Sequence, residues 1–283
     1  MSSRALPTRN ARRAMIGMAS SGSQLSSLYD AYIFDLDGTV CLGDTLLPGA
    51  QWAITRLRAA GRRTLFLSNN PTRRQHENAA RLARLGLPTP PEEIVTSSVV
   101  MVEFLARVLP SARLFVVGEE PLQADLRLAG FTFTREPSQI EAVIASFDRT
   151  FAYWKLQTAF DAIRAGARFF ATHADRFCPV PGGGQPDAAS VIAAIEACTG
   201  VEVEAVVGKP SPYMVDAVLS RLRLPPERCL IIGDRLETDV QMGLQAGMDS
   251  VLTLTGATSV ADAADSSIKP TYVVSNLGEL LPE

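Results

Sequence analysis

The sequence has few of the residues on which several common catalytic and structural centres depend. Only two of its 283 residues are histidine, His76 and His173, and it has neither a GxSxG nor an HExxH pattern. A serine-hydrolase triad and a zinc hydrolase are therefore disfavoured. Its four cysteines form no CxxC pair, so we expect free thiols in the reducing cytoplasm rather than a disulfide scaffold or a zinc site.

Lysine is also scarce, and long apolar runs are missing. Only three of the 27 basic residues are lysine, so a lysine inside a motif is less expected by chance than in most chains. No apolar run reaches the roughly 18–20 residues that cross a bilayer. The net charge of −3 gives no sign of a nucleic-acid or membrane partner.

Residues 1–28 differ in composition from the rest of the chain. They carry arginines and serines but no acidic residue, which resembles an organellar transit peptide. No clear amphipathic apolar face accompanies the arginines. We therefore interpret the segment as a flexible basic tail, with a targeting segment as the alternative.

Short apolar runs alternate with helical patterns over the remaining residues. Strands are predicted at 32–34, 64–67, 114–117, 142–145, 168–171, 205–207, 230–232 and 251–254. Helices are predicted at 50–60 and 72–85, the second with its arginines facing outward. This alternation indicates an α/β fold: a doubly wound, Rossmann-like parallel-sheet core from 29–97 and 205–283, with a smaller α/β module inserted at 98–204.

Four polar clusters each follow a predicted strand of the core. They are Asp35 with Asp37, Ser68 with Asn69 and Asn70, Lys209, and Asp234 with Asp239. Singly, each has an ordinary explanation as a turn, a helix cap or a solvated loop. Because ligands of open parallel sheets bind beyond the carboxyl ends of the strands, the four together predict one polar crevice.

The chemistry of these groups is coherent. Asp35 and Asp37 are two residues apart, so an extended backbone places them on the same side. Clustered carboxylates repel one another unless a cation lies among them, and an incomplete shell of oxygen ligands suits Mg²⁺. A lysine supplies a compact positive charge for a phosphate, and a carboxylate can attack phosphorus covalently. We therefore predict a Mg²⁺-dependent phosphatase of a small phosphorylated metabolite.

At these residues the sequence resembles the haloacid dehalogenase-like superfamily of phosphatases. Residues 35–39 read DLDGT, the first motif of that superfamily, and the other three clusters match its later motifs in order and approximate spacing. The stretches 67–71, 147–156, 208–211 and 233–239 are similar to the branch with a large α/β cap. That branch includes phosphoglycolate, p-nitrophenyl-phosphate, pyridoxal-phosphate and sugar-phosphate phosphatases.

The resemblance implies a role for each matching residue. Asp35 is expected to be the nucleophile and a metal ligand, and Asp37 the general acid and base that binds the metal through its carbonyl. The remaining expected roles are phosphoryl or substrate binding for Ser68, Asn69 and Asn70, charge stabilisation for Lys209, and metal binding for Asp234 with Asp239 nearby. The resemblance also implies a homodimer formed through the cap.

One stretch departs from the family pattern. Residues 171–175 read ATHAD where the family has Thr-Asn-x-Asp, so a histidine stands in place of an asparagine. We predict that His173 and Asp175 lie in the cap and contact the leaving group of the substrate. The alternative for His173 is an ordinary histidine at the end of a strand.

Three other functions share part of this pattern. A phosphotransferase or phosphomutase would have both aspartates of the first motif and an additional acceptor site. A dehalogenase would not need Asp37 or Asp234. A phosphate-responsive receiver domain would also use aspartates, a hydroxyl and a lysine, but such domains are roughly half this size and lack DxDGT followed by a large insertion.

Overall fold

The computed structural model of the protein describes residues 29–180 and 182–282, and the predicted tail lies outside these residues. Two parallel sheets, one of six strands and one of five, account for most of the strands. The strands are β1 (Ala31–Asp35), β2 (Cys41–Leu42), β3 (Thr45–Leu46), β4 (Arg63–Ser68), β5 (Ile94–Thr96), β6 (Arg113–Val117), β7 (Thr132–Phe133), β8 (Ala142–Ala145), β9 (Arg168–Ala171), β10 (Phe177–Val180), β11 (Gly183–Pro186), β12 (Ala205–Val206), β13 (Cys229–Gly233), β14 (Asp249–Thr253) and β15 (Tyr272–Val274).

Helices follow most of these strands. They are α1 (Ala50–Ala59), α2 (Gln75–Arg84), α3 (Ser97–Val108), α4 (Glu120–Leu128), α5 (Tyr153–Arg164), α6 (Ala188–Thr199), α7 (Pro212–Leu222), α8 (Gln241–Ala246) and α9 (Val260–Asp265), with a π-helical turn at Leu236–Val240. The hydroxyl of Ser211 begins α7 by accepting a hydrogen bond from the amide of Met214. Gly200 ends α6 in the left-handed conformation, which glycine adopts without a steric penalty.

The six-stranded sheet has the order β15-β14-β13-β1-β4-β5, so β1 lies near its centre. Because side chains alternate along a strand, Tyr32 and Phe34 of β1 face one side, where they pack with residues of α1 and α2. Ile33 faces the other side and packs with residues of α3 and α7. Burying such a side chain contributes roughly 1.5–3 kcal/mol, and burial of both faces fixes β1.

The five-stranded sheet has the order β12-β9-β8-β6-β7, and both of its faces are also covered. One face packs on α5 and α6. The other belongs to the same apolar cluster as Ile33, so the two sheets share part of their core. Phe104 of α3 makes this connection, because its ring lies 5.1 Å from Phe170 of β9 and 4.8 Å from Tyr213 of α7.

The structure confirms the predicted doubly wound α/β fold and corrects three details. The strand before Lys209, β12, pairs with β9 and so belongs to the five-stranded sheet rather than to the core sheet. The second predicted helix begins at Gln75 rather than at residue 72. Its arginines do not all face outward, because Arg81 is only 2% exposed.

Candidate active site

Three neighbouring strands of the six-stranded sheet end at the site. Asp35 is the last residue of β1, Ser68 is the last residue of β4, and Asp234 directly follows β13. Because β13, β1 and β4 are adjacent and parallel, their carboxyl ends lie side by side. The sheet therefore brings together three of the four predicted clusters, and the fourth approaches from β12 in the other sheet.

Lys209 joins two of these clusters through its ammonium group. Its Nζ donates hydrogen bonds to Oδ1 of Asp35 at 2.5 Å and to Oδ1 of Asp239 at 2.7 Å, and all three residues are buried. Burial alone would lower the pKa of Lys209, but the charges of Asp239 and Asp35 raise it above its ordinary value. The lysine therefore stays protonated and is fixed in position.

The carboxylates at this cavity outnumber its two cationic side chains, Lys209 and Arg235. Oxygens of Asp35, Asp234 and Asp239 lie within 4.8 Å of one another, and Oδ2 of Asp35 is buried without a hydrogen-bond partner among the described residues. Burial raises the pKa of Asp35 well above its usual range. Burial, followed by the charge of Asp239, raises the pKa of Asp234 to about 6.

This excess of negative charge is the condition in which a divalent cation binds. The donor atoms are all oxygen, as Mg²⁺ prefers, and one of them has no other partner. Two glycines leave room for Asp234, because a Cβ atom at Gly38 would lie 2.5 Å and one at Gly256 would lie 1.9 Å from its Oδ2. The cluster of Asp35, Asp234 and Asp239 therefore fits a hard divalent cation.

Asp37 is held by an arginine that the sequence analysis placed on the surface. Its Oδ1 accepts hydrogen bonds from Nη1 of Arg81 at 3.1 Å and from Nη2 at 3.2 Å. Burial opposes the charge of Arg81, but Asp37 raises the pKa of the guanidinium above its ordinary value. The sequence carried no signal for this contact, because the burial of Arg81 on α2 is visible only in the folded structure.

The side chain of Asn69, in the loop after β4, contacts the backbone of Lys209. Oδ1 of Asn69 accepts a hydrogen bond from the amide of Lys209 at 2.8 Å, and Nδ2 donates to the carbonyl of Lys209 at 3.2 Å. The same Nδ2 also donates to Asp175 at 3.0 Å. Asn70 accepts from Thr72, and the hydroxyl of Ser68 accepts from the amide of Asn70. In this geometry Asn69 fixes the lysine and joins the two sheets.

The hairpin of β10 and β11 covers the site from the side of the five-stranded sheet. Its residues Cys178 and Pro179 line a cavity of about 30 Å³ together with the predicted residues of the core except Asp239. Arg235 holds the hairpin, because its Nη2 donates to the carbonyl of Phe177 at 2.7 Å and its guanidinium lies 4.8 Å from the centre of the Phe177 ring. Arg235 lies within the stretch 233–239 that matches the family, but no role was predicted for it, and no motif marks Cys178.

Of the two substrate residues predicted in the inserted module, only one lines the cavity. Asp175 lines the cavity, as does Asp187, but His173 does not. His173 is 0% exposed, with Nδ1 at 2.8 Å from the hydroxyl of Thr172 and Nε2 at 2.8 Å from Asp187. Both ring nitrogens are therefore occupied by protein partners behind the cavity wall, and a contact of His173 with a leaving group stays a prediction.

The fold and the arrangement of acids, hydroxyl and lysine at the sheet edge are those of a class of hydrolases with an α/β fold. A family model described as haloacid dehalogenase-like hydrolase matches residues 32–132, and a second HAD-hydrolase-like model matches residues 206–280. The chain belongs to the haloacid dehalogenase-like hydrolases, and the resemblance of its motifs to that family is confirmed.

Individual members of the family are similar over most of the chain. The sugar-phosphatase AraL of Bacillus subtilis is 37% identical, over 88% of this chain and 90% of its own. The crystal structure of 4-nitrophenylphosphatase from Thermotoga maritima has a TM-score of 0.84 and 35% identity, over 89% of this chain and 95% of its own. Glycerol phosphate phosphatase from Mycobacterium tuberculosis, in complex with magnesium, has a TM-score of 0.82 and 33% identity, over 90% of this chain and 77% of its own.

The buried pair of His173 and Asp187 predicts a pH-dependent contribution to stability. Burial alone lowers the pKa of His173, but the charge of Asp187 and its hydrogen bond raise the pKa above the ordinary value of 6.5. The stabilisation is fully present below pH 6.5 and is lost as the pH rises through the raised value. We expect His173→Asn to cost most stability near pH 5.5 and progressively less towards pH 8.5.

Urea unfolding of the wild type and the variant across this pH range, at constant ionic strength, measures the difference in free energy of unfolding. His76→Asn, at the exposed histidine of α2, is the control for the loss of a histidine. A difference between wild type and His173→Asn that stays constant, or grows with rising pH, would contradict the prediction.

Proposed function

We propose that the protein is a Mg²⁺-dependent phosphatase that hydrolyses a small phosphorylated metabolite through an aspartyl-phosphate on Asp35. Phosphatase activity on small phosphorylated compounds is what the names of the similar proteins have in common. The observation that carries the proposal is the convergence of Asp35, Ser68, Lys209 and Asp234 on one buried cavity.

Asp35 is the proposed nucleophile. Lys209 fixes Oδ1 of this carboxylate, while Oδ2 has no partner among the described residues. One carboxylate oxygen attacks phosphorus, the bond from phosphorus to the leaving oxygen breaks, and Asp37 donates a proton to that oxygen. Asp37 then removes a proton from a water that attacks the phosphorus of the aspartyl-phosphate, which releases inorganic phosphate and restores Asp35.

The cation would be held by Asp35, Asp234 and the backbone carbonyl of Asp37, with Asp239 supporting through Lys209. When bound, Mg²⁺ neutralises the charge of the carboxylates and of the phosphate, so that two anionic groups can approach. A magnesium complex is known for the similar glycerol phosphate phosphatase, which supports this choice of cation.

The phosphoryl group is proposed to lie between Ser68, Lys209 and the backbone amides after β4. The Ser68 hydroxyl and the Lys209 ammonium both line the cavity and would bind phosphoryl oxygens as charge develops. Asn70 also lines the cavity and completes this side of the site. Asn69 contributes chiefly by fixing the backbone of Lys209.

The leaving group is proposed to meet the inserted module, residues 98–204, acting as a cap. A cavity of about 30 Å³ is far smaller than the roughly 300–1,000 Å³ of ordinary ligand sites. A sugar or polyol phosphate would therefore enter only after the hairpin of β10 and β11 moves away from Arg235. Asp175, at the cavity wall, is placed to accept hydrogen bonds from hydroxyl groups of such a leaving group.

We also propose that the enzyme works in the cytoplasm. All four cysteines are free, which suits a reducing compartment. None of the helices in the described part of the chain has the length and hydropathy of a membrane span. A homodimer formed through the cap remains a prediction from the family resemblance.

Replacement of the nucleophile tests the proposed chemistry directly. We expect Asp35→Asn to lower the rate of phosphate release from p-nitrophenyl phosphate by about three orders of magnitude or more, because an amide cannot form the acyl phosphate. Wild-type activity should require added Mg²⁺ and disappear with EDTA. Asp216→Asn, at an exposed aspartate of α7, is the matched control and should keep wild-type rates.

Activity that persists in Asp35→Asn, or that does not depend on a divalent cation, would refute this mechanism. Trapping a phosphorylated protein with labelled substrate, followed by hydroxylamine release, would locate the covalent group independently.

The proposed cation site predicts that the charge of Asp234 lowers the thermal stability of the metal-free protein and that Mg²⁺ restores it. Because burial raises the pKa of Asp234 to about 6, its charged form destabilises the metal-free fold, and this cost grows as the pH rises from 3.8 through about 6. In EDTA at pH 8 we expect Asp234→Asn to melt at the same temperature as the wild type or higher. With Mg²⁺ we expect the wild type to gain several degrees and the variant little.

Differential scanning fluorimetry of both proteins, with and without 10 mM Mg²⁺ and at about pH 5 and pH 8, measures the melting temperatures. Equal stabilisation of both proteins by Mg²⁺ would place the cation elsewhere in the molecule.

A further inference from the structure

Arg81 contacts only one of the two carboxylate oxygens of Asp37, the proposed general acid. Both of its terminal nitrogens donate to Oδ1 of Asp37, at 3.1 and 3.2 Å, and no described residue donates to Oδ2. Asp37 lines the cavity, and its side chain is 19% exposed. One oxygen of the carboxylate is therefore fixed by the protein, and the other is left for the leaving group or for water.

The arginine is itself fixed on several sides. It projects from α2, its side chain is only 2% exposed, and Nε donates to the carbonyl of Gly43 at 3.0 Å. Nη2 makes a second contact with the same carbonyl. Gly43 lies in the turn between β2 and β3, which directly follow Asp37 in the chain. Arg81 thus ties the side chain of Asp37 and the turn after it to one helix.

We propose that Arg81 is a positioning residue that fixes Oδ1 of Asp37 and thereby orients Oδ2 towards the leaving group. A guanidinium has only donors, so the oxygen that it contacts is occupied as an acceptor, and the other oxygen is left free to meet the leaving group. The proposal rests on the phosphatase mechanism above and adds to it a residue that touches neither substrate nor metal.

A purely structural role would make a different prediction. Arg81 is a buried cation, and its loss leaves Asp37 and Gly43 without a partner, which destabilises any fold. Such damage would lower turnover of every substrate by a similar factor. Misplacement of a general acid instead matters in proportion to the basicity of the leaving oxygen, because a weakly basic oxygen departs without a proton.

Leaving-group dependence of kcat/KM therefore separates the two roles. This constant covers only the steps up to formation of the aspartyl-phosphate, where Asp37 acts as an acid. The probes are p-nitrophenyl phosphate, phenyl phosphate and glycerol 3-phosphate, in order of increasing basicity of the leaving oxygen. We expect Arg81→Met to lose about 100-fold on glycerol 3-phosphate, less on phenyl phosphate, and under about 5-fold on p-nitrophenyl phosphate.

Two further variants guard against a failure to fold. Arg81→Lys keeps the buried charge but not the planar fork. We therefore expect its losses of kcat/KM to rank the three probes in the same way as those of Arg81→Met, but to be smaller. Arg58→Met is the matched control, since Arg58 also bridges a helix to neighbouring loops, through Thr64, Pro88 and Glu93 on the same face of the core. Its effect should be equal on all three probes.

Each outcome decides the question. A selective loss that grows along the series in both Arg81 variants supports the proposal. Equal losses on all probes, or no loss in a folded Arg81→Lys protein, overturn it. A wild type that hydrolyses none of the probes, or an active Asp35→Asn, would instead refute the proposed phosphatase function and leave the role of Arg81 to structure alone.

Discussion

The structure depends on the burial of one ammonium group between carboxylates. Removing charges from water costs several kcal/mol for each ion, so a buried cluster of aspartates is stable only where cations balance it. Lys209 supplies one such cation to Asp35 and Asp239. The amide of Asn69, which brackets the backbone of Lys209 on both sides, determines where that charge lies. The remaining negative charge is left for a metal ion and is the reason the site can bind one.

This balance explains why the active site is assembled from two sheets. Two acids, Asp35 and Asp234, and the hydroxyl of Ser68 lie at the ends of adjacent parallel strands, which are close together in any fold of this class. The lysine comes from the segment that returns from the inserted module, after β12. Placing the cation on the returning segment makes the charge balance of the core depend on correct docking of the insertion. The contact of Asn69 with Asp175 adds to the same dependence.

Sequence patterns predicted the part of the site that follows from local structure. Asp35, Ser68 and Asp234 could be placed because each ends or follows an apolar strand, and strand ends of one parallel sheet must converge. Arg81 could not be placed, because its contact partner lies 44 residues away and its helix position looks solvent-facing in a sequence rich in arginine. His173 was predicted to contact the substrate because a histidine replaces the asparagine of the family pattern, and its burial against Asp187, 14 residues away, could not be read from the sequence.

The aromatic contacts of Phe104 with Phe170 and Tyr213 have a consequence for how the enzyme opens. Separating such ring pairs costs on the order of 1 kcal/mol each beyond the apolar area that becomes exposed, so a rigid swing of one sheet away from the other is expensive. The hairpin at Phe177 is attached to the core by the single side chain of Arg235 and by the contact of Asn70 with Cys178. Under the proposed mechanism, a local displacement of these two short strands would open the cavity at a lower energetic cost than a movement of the whole five-stranded sheet.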